Sequence, residues 1–502
     1  MTAMATSYDV IVIGAGHNGL VAAAMLAKAG RKVLVLERRD VAGGQLAAEA
    51  WGEGFEADAL HAGGSLRPDI ARDLGLAPDS DDRDASYVAL LPDGGRLALR
   101  ATAAAADAIR PYSARDAARW PEFVAFMDAA AGFLDAAYRT PMPRLPRPGV
   151  RAGLPLAQLA WKLRRLGRRD MFRVLRAVTM SALELTEEWF ESEVLRAAIA
   201  AVAIHGVTLG PMSAGTGYTL MHQWLNRGGL AQRQRNGGSG QLAADLVAAL
   251  KRHGGELRTG AAVQRVRIEG QRARGVVLTG GEEIAARSVL ATADPRHSLL
   301  DLVGAPELPP EFVWQAQSIK LRGSVAKLHW LTDGSHGLPE GTLAVAPSIR
   351  YLERAFDAAK YGELSAQPYL EITTRGNVVS AHFQFAPFAL RQGDWADARA
   401  QMERIATDTL SAHAPGFAAS VRQVRSITPA DLQSTWGLAE GDLNHGQLIL
   451  DQLFILRPIA GWSAHTTPID GFYLGGSGTH GGGGISGAAG RNAARVVLGA
   501  GA

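Results

Sequence analysis

The chain contains no cysteine. That absence excludes disulfides, thiolate metal sites, cysteine nucleophiles and redox-active dithiols, and with them any disulfide reductase chemistry. Charge of one sign is not in large excess either: 52 basic residues stand against 49 acidic ones, so no nucleic-acid-binding surface is expected. A run of about 18 apolar residues, the minimum for a membrane span, is also missing. The most apolar window, around Leu195 to Ile204, is interrupted by Arg196 and followed by His205. The opening "MTAMATSYDV" has no basic stretch and runs directly into an apolar strand, so neither a signal nor a transit peptide is expected and the protein is expected in the cytoplasm. No fixed-period repeat and no metal-ligand set stand out. With 502 residues, 47% of them hydrophobic, the chain can bury the cores of two or three domains. Glycine is plentiful, 58 residues in all, and is concentrated near the two ends.

The first concentration lies in "YDVIVIGAGHNGLVAAAMLAKAGRKVLVLERRDVAGG". Val10 to Ile13 is a continuous β-branched run, as in a strand buried on both faces. Gly14, Gly16 and Gly19 then spell G-x-G-x-x-G around His17 and Asn18. The first glycine permits a tight turn, the second lets backbone approach a pyrophosphate, and the third lets helix pack on strand. A helix is predicted from His17 to about Ala29, and a second strand, "KVLVLE", ends at Glu37, 18 residues after Gly19. An acid there can accept hydrogen bonds from the ribose of an adenosine. Arg38, Arg39 and the pair Gly43-Gly44 follow within seven residues of it. A second glycine pair lets another loop approach the same pyrophosphate, which suits a dinucleotide buried lengthwise and favours FAD. These residues resemble the glutathione-reductase-type FAD fold shared by flavin amine oxidases and phytoene-desaturase-like enzymes.

Further along, "PDIARDLGL" predicts a short helix, "SYVALLPDGGRLAL" a hairpin, and residues 101 to 135 an alanine-rich helical stretch. The prolines of "TPMPRLPRPGVRAGLP" predict a connector without helix. Residues 158 to 176, "QLAWKLRRLGRRDMFRVLR", hold seven basic side chains and one acid among Trp161, Leu163, Leu166, Met171, Phe172 and Leu175. They predict one basic amphipathic helix, either a solvated face or a surface that docks on an anionic membrane. "GGSGQLAADLVAAL" then opens a further glycine entry and helix, followed by strands at 262 to 268, 275 to 278 and 288 to 293. By resemblance this is the return into the FAD domain, where Val263 would contact the adenine through its backbone and Asp294-Pro295 would close the last strand. Family members often carry asparagine where this chain has Thr292. Residues 301 to 459, with alternating runs such as "LAVAPSIRYL" and "NVVSAHFQF", predict an antiparallel sheet over the flavin.

The second concentration of glycine is "GFYLGGSGTHGGGGISGAAGRNAARVVL". A strand is predicted at Phe472 to Leu474, then a glycine loop and a helix from about Ile485. Residues without Cβ let backbone lie against the flavin ring, and the positive end of that helix would stabilise negative charge on reduced flavin. The ending resembles the phytoene-desaturase branch that includes proteins named for a pyridine nucleotide-disulfide oxidoreductase domain, whose chains end like "LYL-G-GTHPGGGVSGAPGRNAA". This chain has Gly481 in place of their proline and Gly475 where cysteine is common; the second change is expected to be conservative.

The expected fold is therefore α/β plus α+β. A Rossmann-type FAD-binding domain is built from residues 1 to 86, 236 to 300 and 460 to 502, and a substrate-binding domain of antiparallel sheet and helices from 87 to 235 and 301 to 459. Expected FAD contacts are Gly14, Gly16, Asn18, Gly19, Glu37, Arg38, Gly43, Gly44, Val263, Gly476, Gly483, Gly484, Ile485 and Ser486. His480 and His445, with His61 as a third, are the titratable groups expected near the ring, in either catalytic or structural roles. The implied activity is FAD-dependent desaturation of a lipophilic, polyene or isoprenoid-like substrate, with oxygen or a quinone as electron acceptor. A flavin amine oxidase, a reduced-flavin isomerase or saturase, and a non-catalytic FAD-binding partner of a membrane complex remain open.

Overall fold

The β-branched run at Tyr8–Ile13 becomes the middle of a parallel sheet, as a strand apolar on both faces must. A computed structural model describes residues 7–60, 66–77, 85–140, 142, 150–233 and 237–500, with the side chains of 150–152 outside the description. Val33–Leu36 flanks the first strand on one side, with Val10 opposite Val33, and Glu256–Arg258 pairs beyond it. On the other side lies the end of Glu283–Ala291, with Val10 opposite Ser288, and Phe472–Leu474 pairs next to that. The start of the same long strand leaves the parallel sheet and forms an antiparallel meander with Arg272–Leu278 and Val263–Glu269. Helices His17–Lys28, Gly238–Arg252 and Ala488–Ala500 cover one face around a core of Leu20, Leu246 and Ala494. The meander and Pro310–Gln317 cover the other.

A second, seven-stranded sheet runs in the order Val421–Ile427, Val325–Thr332, Val378–Gln384, Tyr369–Arg375, Thr342–Val345, Tyr87–Leu90, Arg96–Leu99. Only the pairing of Thr342–Val345 with Tyr87–Leu90 is parallel. Its apolar face packs on Trp395–His413 through Leu328, Trp330, Ile372 and Phe383. Against the opposite face lies a helical layer containing Ala114–Arg139, Glu193–Ile204 and Thr216–Arg227. This is the mixed α/β plus antiparallel-sheet architecture expected.

Four local expectations are overturned. The single helix over 158 to 176 is two, Val150–Arg165 and Gly167–Thr179, because Gly167 takes φ +85°, a left-handed geometry that ends a helix. The first of them starts inside the proline-rich connector. Pro155 lies in its second turn, where the missing N–H leaves one upstream carbonyl without its helical partner instead of breaking a long ladder. In "LAVAPSIRYL" only the first three residues are strand, the end of Thr342–Val345. Ser348 then caps the helix Ile349–Lys360 by accepting a hydrogen bond from Tyr351 N at 3.1 Å. The last helix begins at Ala488, not Ile485, because Gly487 is left-handed at φ +71°.

Candidate functional site

A cavity of ≈ 540 Å³ opens beside the end of the first strand. Its walls include Gly14, Gly16, Asn18, Gly19, Glu37, Arg38, Gly44, Val263 and His445, segments far apart in sequence. Glu37 is positioned by its own neighbours: its carboxylate accepts from Ala15 N at 2.9 Å and from Arg39 N at 3.0 Å. Arg38 lines the cavity, yet its guanidinium donates to the carbonyls of Ser434 (3.3 Å) and Thr435 (2.8 Å). It thereby ties down a loop, Gln433 to Ala439, that forms another wall, with the Arg39 guanidinium 5.1 Å from the Trp436 ring. Neither Trp436 nor this loop was signalled by any motif.

The glycines test whether an extended dinucleotide fits. A Cβ on Gly19 would stand 2.0 Å from the Gly14 carbonyl oxygen, and one on Gly14 would stand 2.8 Å from Thr292 Oγ1, so both are required by internal packing. A Cβ on Gly16 meets nothing within 4 Å, although the residue lines the cavity at the head of the helix His17–Lys28. A bare backbone facing open space at a helix N-terminus is the cradle a pyrophosphate requires. Thr292 Oγ1 donates to the carbonyls of Ile13 (2.9 Å) and Gly14 (3.2 Å), clamping the turn from beneath.

The C-terminal glycines lie outside this cavity. Gly476, Gly483, Gly484, Ile485 and Ser486 are not among the cavity walls, nor is Gly43; from the loop, Ser477 lines it. Their close approach is to protein. A Cβ on Gly476 would lie 2.4 Å from the Thr292 carbonyl oxygen, and one on Gly484 would lie 2.7 Å from Asn226 Nδ2. A Cβ on Gly483 would lie 3.0 Å from the His222 ring. Ile485 packs into the core beneath the first sheet, and the Ser486 carbonyl accepts from Arg67 N at 3.1 Å. Gly43 donates from its N–H to the Ala15 carbonyl at 2.9 Å. The positive end of Ala488–Ala500 is turned to Asn18, whose Oδ1 accepts from Gly490 N at 3.2 Å while Nδ2 donates to Ser477 Oγ at 3.1 Å. Asn18 thus joins the two glycine segments. Nor is Gly475 a conservative replacement for cysteine: a Cβ there would be 2.8 Å from the Ala493 Cβ. Gly481, at φ +81°, has a backbone conformation closed to proline.

The two histidines separate. His480 is buried, its Nε2 facing the carbonyls of Ala137 (3.2 Å) and Thr140 (3.1 Å) at the end of the helix Ala114–Arg139. Burial holds its pKa down at about 3, so it is a neutral donor that anchors the loop, away from the cavity. His445 does line the cavity, on a backbone at φ +54°. Its Nδ1 is buried without a hydrogen-bond partner and burial lowers its pKa, so it presents a neutral acceptor. His17, beside it on the wall, is likewise held neutral, chiefly by burial, at about 4. His61 lies outside the described residues. Buried Arg457 gathers the surrounding loop by donating to the carbonyls of Asn444 (2.8 Å), Gly446 (3.0 Å), Gln447 (3.0 Å) and Ser477 (2.9 Å).

Sequence reading missed a buried polar row on the second sheet. Lys327, His382 and Glu371 face one another across three neighbouring strands. Glu371 accepts from Arg227 Nη1 (2.9 Å), Gln232 Nε2 (2.8 Å) and Tyr369 Oη (3.1 Å), and His205 stacks on His382 at 3.9 Å between ring centres. Burial drops Lys327 to about 8, and its Nζ makes no hydrogen bond or ion pair among the described residues. The alternation K-x-H at 327 and 329 and H-x-Q at 382 and 384 is the period-2 signal that could have revealed a polar sheet face.

With the geometry in hand, known proteins give a consistent comparison. A family model described as flavin containing amine oxidoreductase matches residues 19–386. The Rattus norvegicus pyridine nucleotide-disulfide oxidoreductase domain-containing protein 2 is 33% identical, over 98% of this chain and 93% of its own. The lycopene-forming phytoene desaturase of a Paracoccus species is 27% identical over 97% of each chain. Among solved structures, an oxidoreductase from Methanosarcina mazei superposes with a TM-score of 0.59 at 15% identity, covering 98% of this chain and 99% of that one, a likeness of fold.

Proposed function

The chain belongs to the flavin containing amine oxidoreductase family and is an FAD-dependent oxidoreductase, and from that premise we propose that it dehydrogenates a lipophilic, polyene or isoprenoid-like substrate. The observation that carries this choice is the likeness to a phytoene desaturase along nearly the full length of both chains. Bound FAD would supply the two-electron acceptor for a hydride leaving a substrate carbon.

The chain's own residues then have separate tasks. Gly14, Gly16 and Gly19 shape the cradle for the pyrophosphate, and Glu37 offers its remaining carboxylate lone pairs to a ribose. His445, neutral and on the cavity wall, accepts the proton from the neighbouring carbon, so that one hydride and one proton leave for each double bond formed. Asn18, His480 and Arg457 fix the loops that close the site. Electrons return to oxygen or to a quinone.

Mass analysis of products tests the proposal. Incubation with polyenes and isoprenoid lipids should yield products two hydrogens lighter per turnover. Peroxide release with amines and none with polyenes would make the protein an amine oxidase. Activity seen only after prior reduction of the flavin would make it an isomerase or saturase.

A further inference from the structure

The helices Val150–Arg165 and Gly167–Thr179 carry a stripe that nothing in the described chain covers. Leu154, Trp161, Phe172 and Leu175 are 63%, 65%, 52% and 48% exposed, although each is large and apolar. Positions 154 and 161, and 172 and 175, have the spacing of one helix face. Cations flank them throughout. Arg169 and Arg173 reach Glu122, and Arg176 reaches Glu188, but Lys162, Arg164, Arg165 and Arg168 form no ion pair among the described residues. The opposite side of the second helix is committed to the fold: Val174 and Ala177 are in the helical core, and a Cβ on Gly217 would lie 2.2 Å from the Ala177 carbonyl oxygen.

We infer that this stripe docks the protein on an anionic lipid bilayer. Four unpaired cations set among four protruding apolar side chains match the layered chemistry of a headgroup region, where apolar tips enter the acyl boundary and basic heads stay with lipid phosphates. A protein partner fits less well. An interface core needs a contiguous, closely packed apolar patch, whereas these apolar side chains are strung singly along the two helices. The surface also lies one helix from the C-terminal glycine loop: helix Gly167–Thr179 packs on Thr216–Arg227, whose Asn226 Nδ2 donates to the Gly483 carbonyl at 3.4 Å. A substrate dissolved in the bilayer would therefore enter one helix away from the C-terminal loop. That last step rests on the lipophilic substrate proposed above; docking itself does not, and it is measured with no substrate present.

Cosedimentation of the flavin-loaded protein with phosphatidylcholine vesicles, with and without phosphatidylglycerol, tests docking. Binding should be on the order of tenfold or more stronger with the anionic lipid and should collapse in high salt. The pair Trp161→Ser and Phe172→Ser should weaken it on the order of tenfold, with flavin content and Tm unchanged. The triple substitution Arg164→Gln, Arg165→Gln, Arg168→Gln should erase the preference for anionic lipid. Equal, negligible sedimentation with both vesicles would overturn the inference, as would binding indifferent to both sets of substitutions. A concentration-dependent dimer dissolved by Phe172→Ser, without vesicle binding, would assign the stripe to a second copy of the chain.

Discussion

Gly16 and Gly19 belong to one motif but answer to different demands, and substitution separates them. Gly16→Val puts its side chain into the open cavity at an ordinary φ of −72°, so the protein should fold with nearly unchanged Tm and purify without flavin absorbance. Gly19→Ala drives a methyl into the Gly14 carbonyl at 2.0 Å, and folded yield should fall before cofactor binding can be measured. Both variants purifying yellow would contradict the cradle. The histidines divide in the same way. His445→Gln should retain flavin while turnover falls by roughly 10² to 10⁴ and the limb of the pH profile due to its proton acceptance disappears. His480→Asn should leave turnover per bound flavin near wild type and cost about 1 to 3 kcal/mol of stability, measured by urea unfolding, because two helix-terminal carbonyls lose their donor. The motif at the N-terminus made Gly16 and Glu37 legible in the sequence. No residue near 445 or 480 carries a signal of which histidine turns to the cavity, since that depends on Arg457 gathering the loop from elsewhere.

At the scale of elements, legibility follows from how local the determinants are. Strand Tyr8–Ile13, helix His17–Lys28, the hairpin of Tyr87–Leu90 and Arg96–Leu99 and strand Phe472–Leu474 are fixed by adjacent residues and were readable. The row Lys327, His382 and Glu371 comes from three strands that meet only by pairing, so its members look like isolated charges in the sequence. The division of the basic helix at Gly167 was hidden for another reason: glycine inside a periodic pattern is compatible with a continuous helix until φ is known. Contact between the stripe-bearing helix and Thr216–Arg227 depends on Gly217, whose N–H donates to the Met180 carbonyl at 3.0 Å. Gly217→Val should push the two helices apart and cost about 2 to 3 kcal/mol in urea unfolding. A loss within 0.5 kcal/mol, roughly the scale of a surface change, would mean that the contact carries little of the packing.

Across the whole molecule, burial sets the response to acid. His17 and His465 are held at about 4, and His222, His329 and His480 at about 3, in each case chiefly by burial. The unfolded chain protonates these rings near 6.5, so between that pH and the folded values it binds protons that the native state refuses. Their contribution to stability is complete above pH 6.5 and shrinks as pH falls, by up to about 1.4 kcal/mol per pH unit for each ring. Tm should accordingly drop steeply once pH is lowered through 6.5 and remain nearly level above it; a flat profile through that range would show that the rings are not buried neutral. The first sheet carries the glycine cradle, the second a buried polar row, and Asn18 pins the C-terminal glycine loop to the first helix. The most direct test of the function assigned to this assembly is anaerobic mixing of the flavin-loaded protein with a polyene or with an amine while flavin absorbance is followed. Bleaching by the polyene, with a product two hydrogens lighter and no bleaching by amines, is the predicted result; bleaching by amines alone would contradict it.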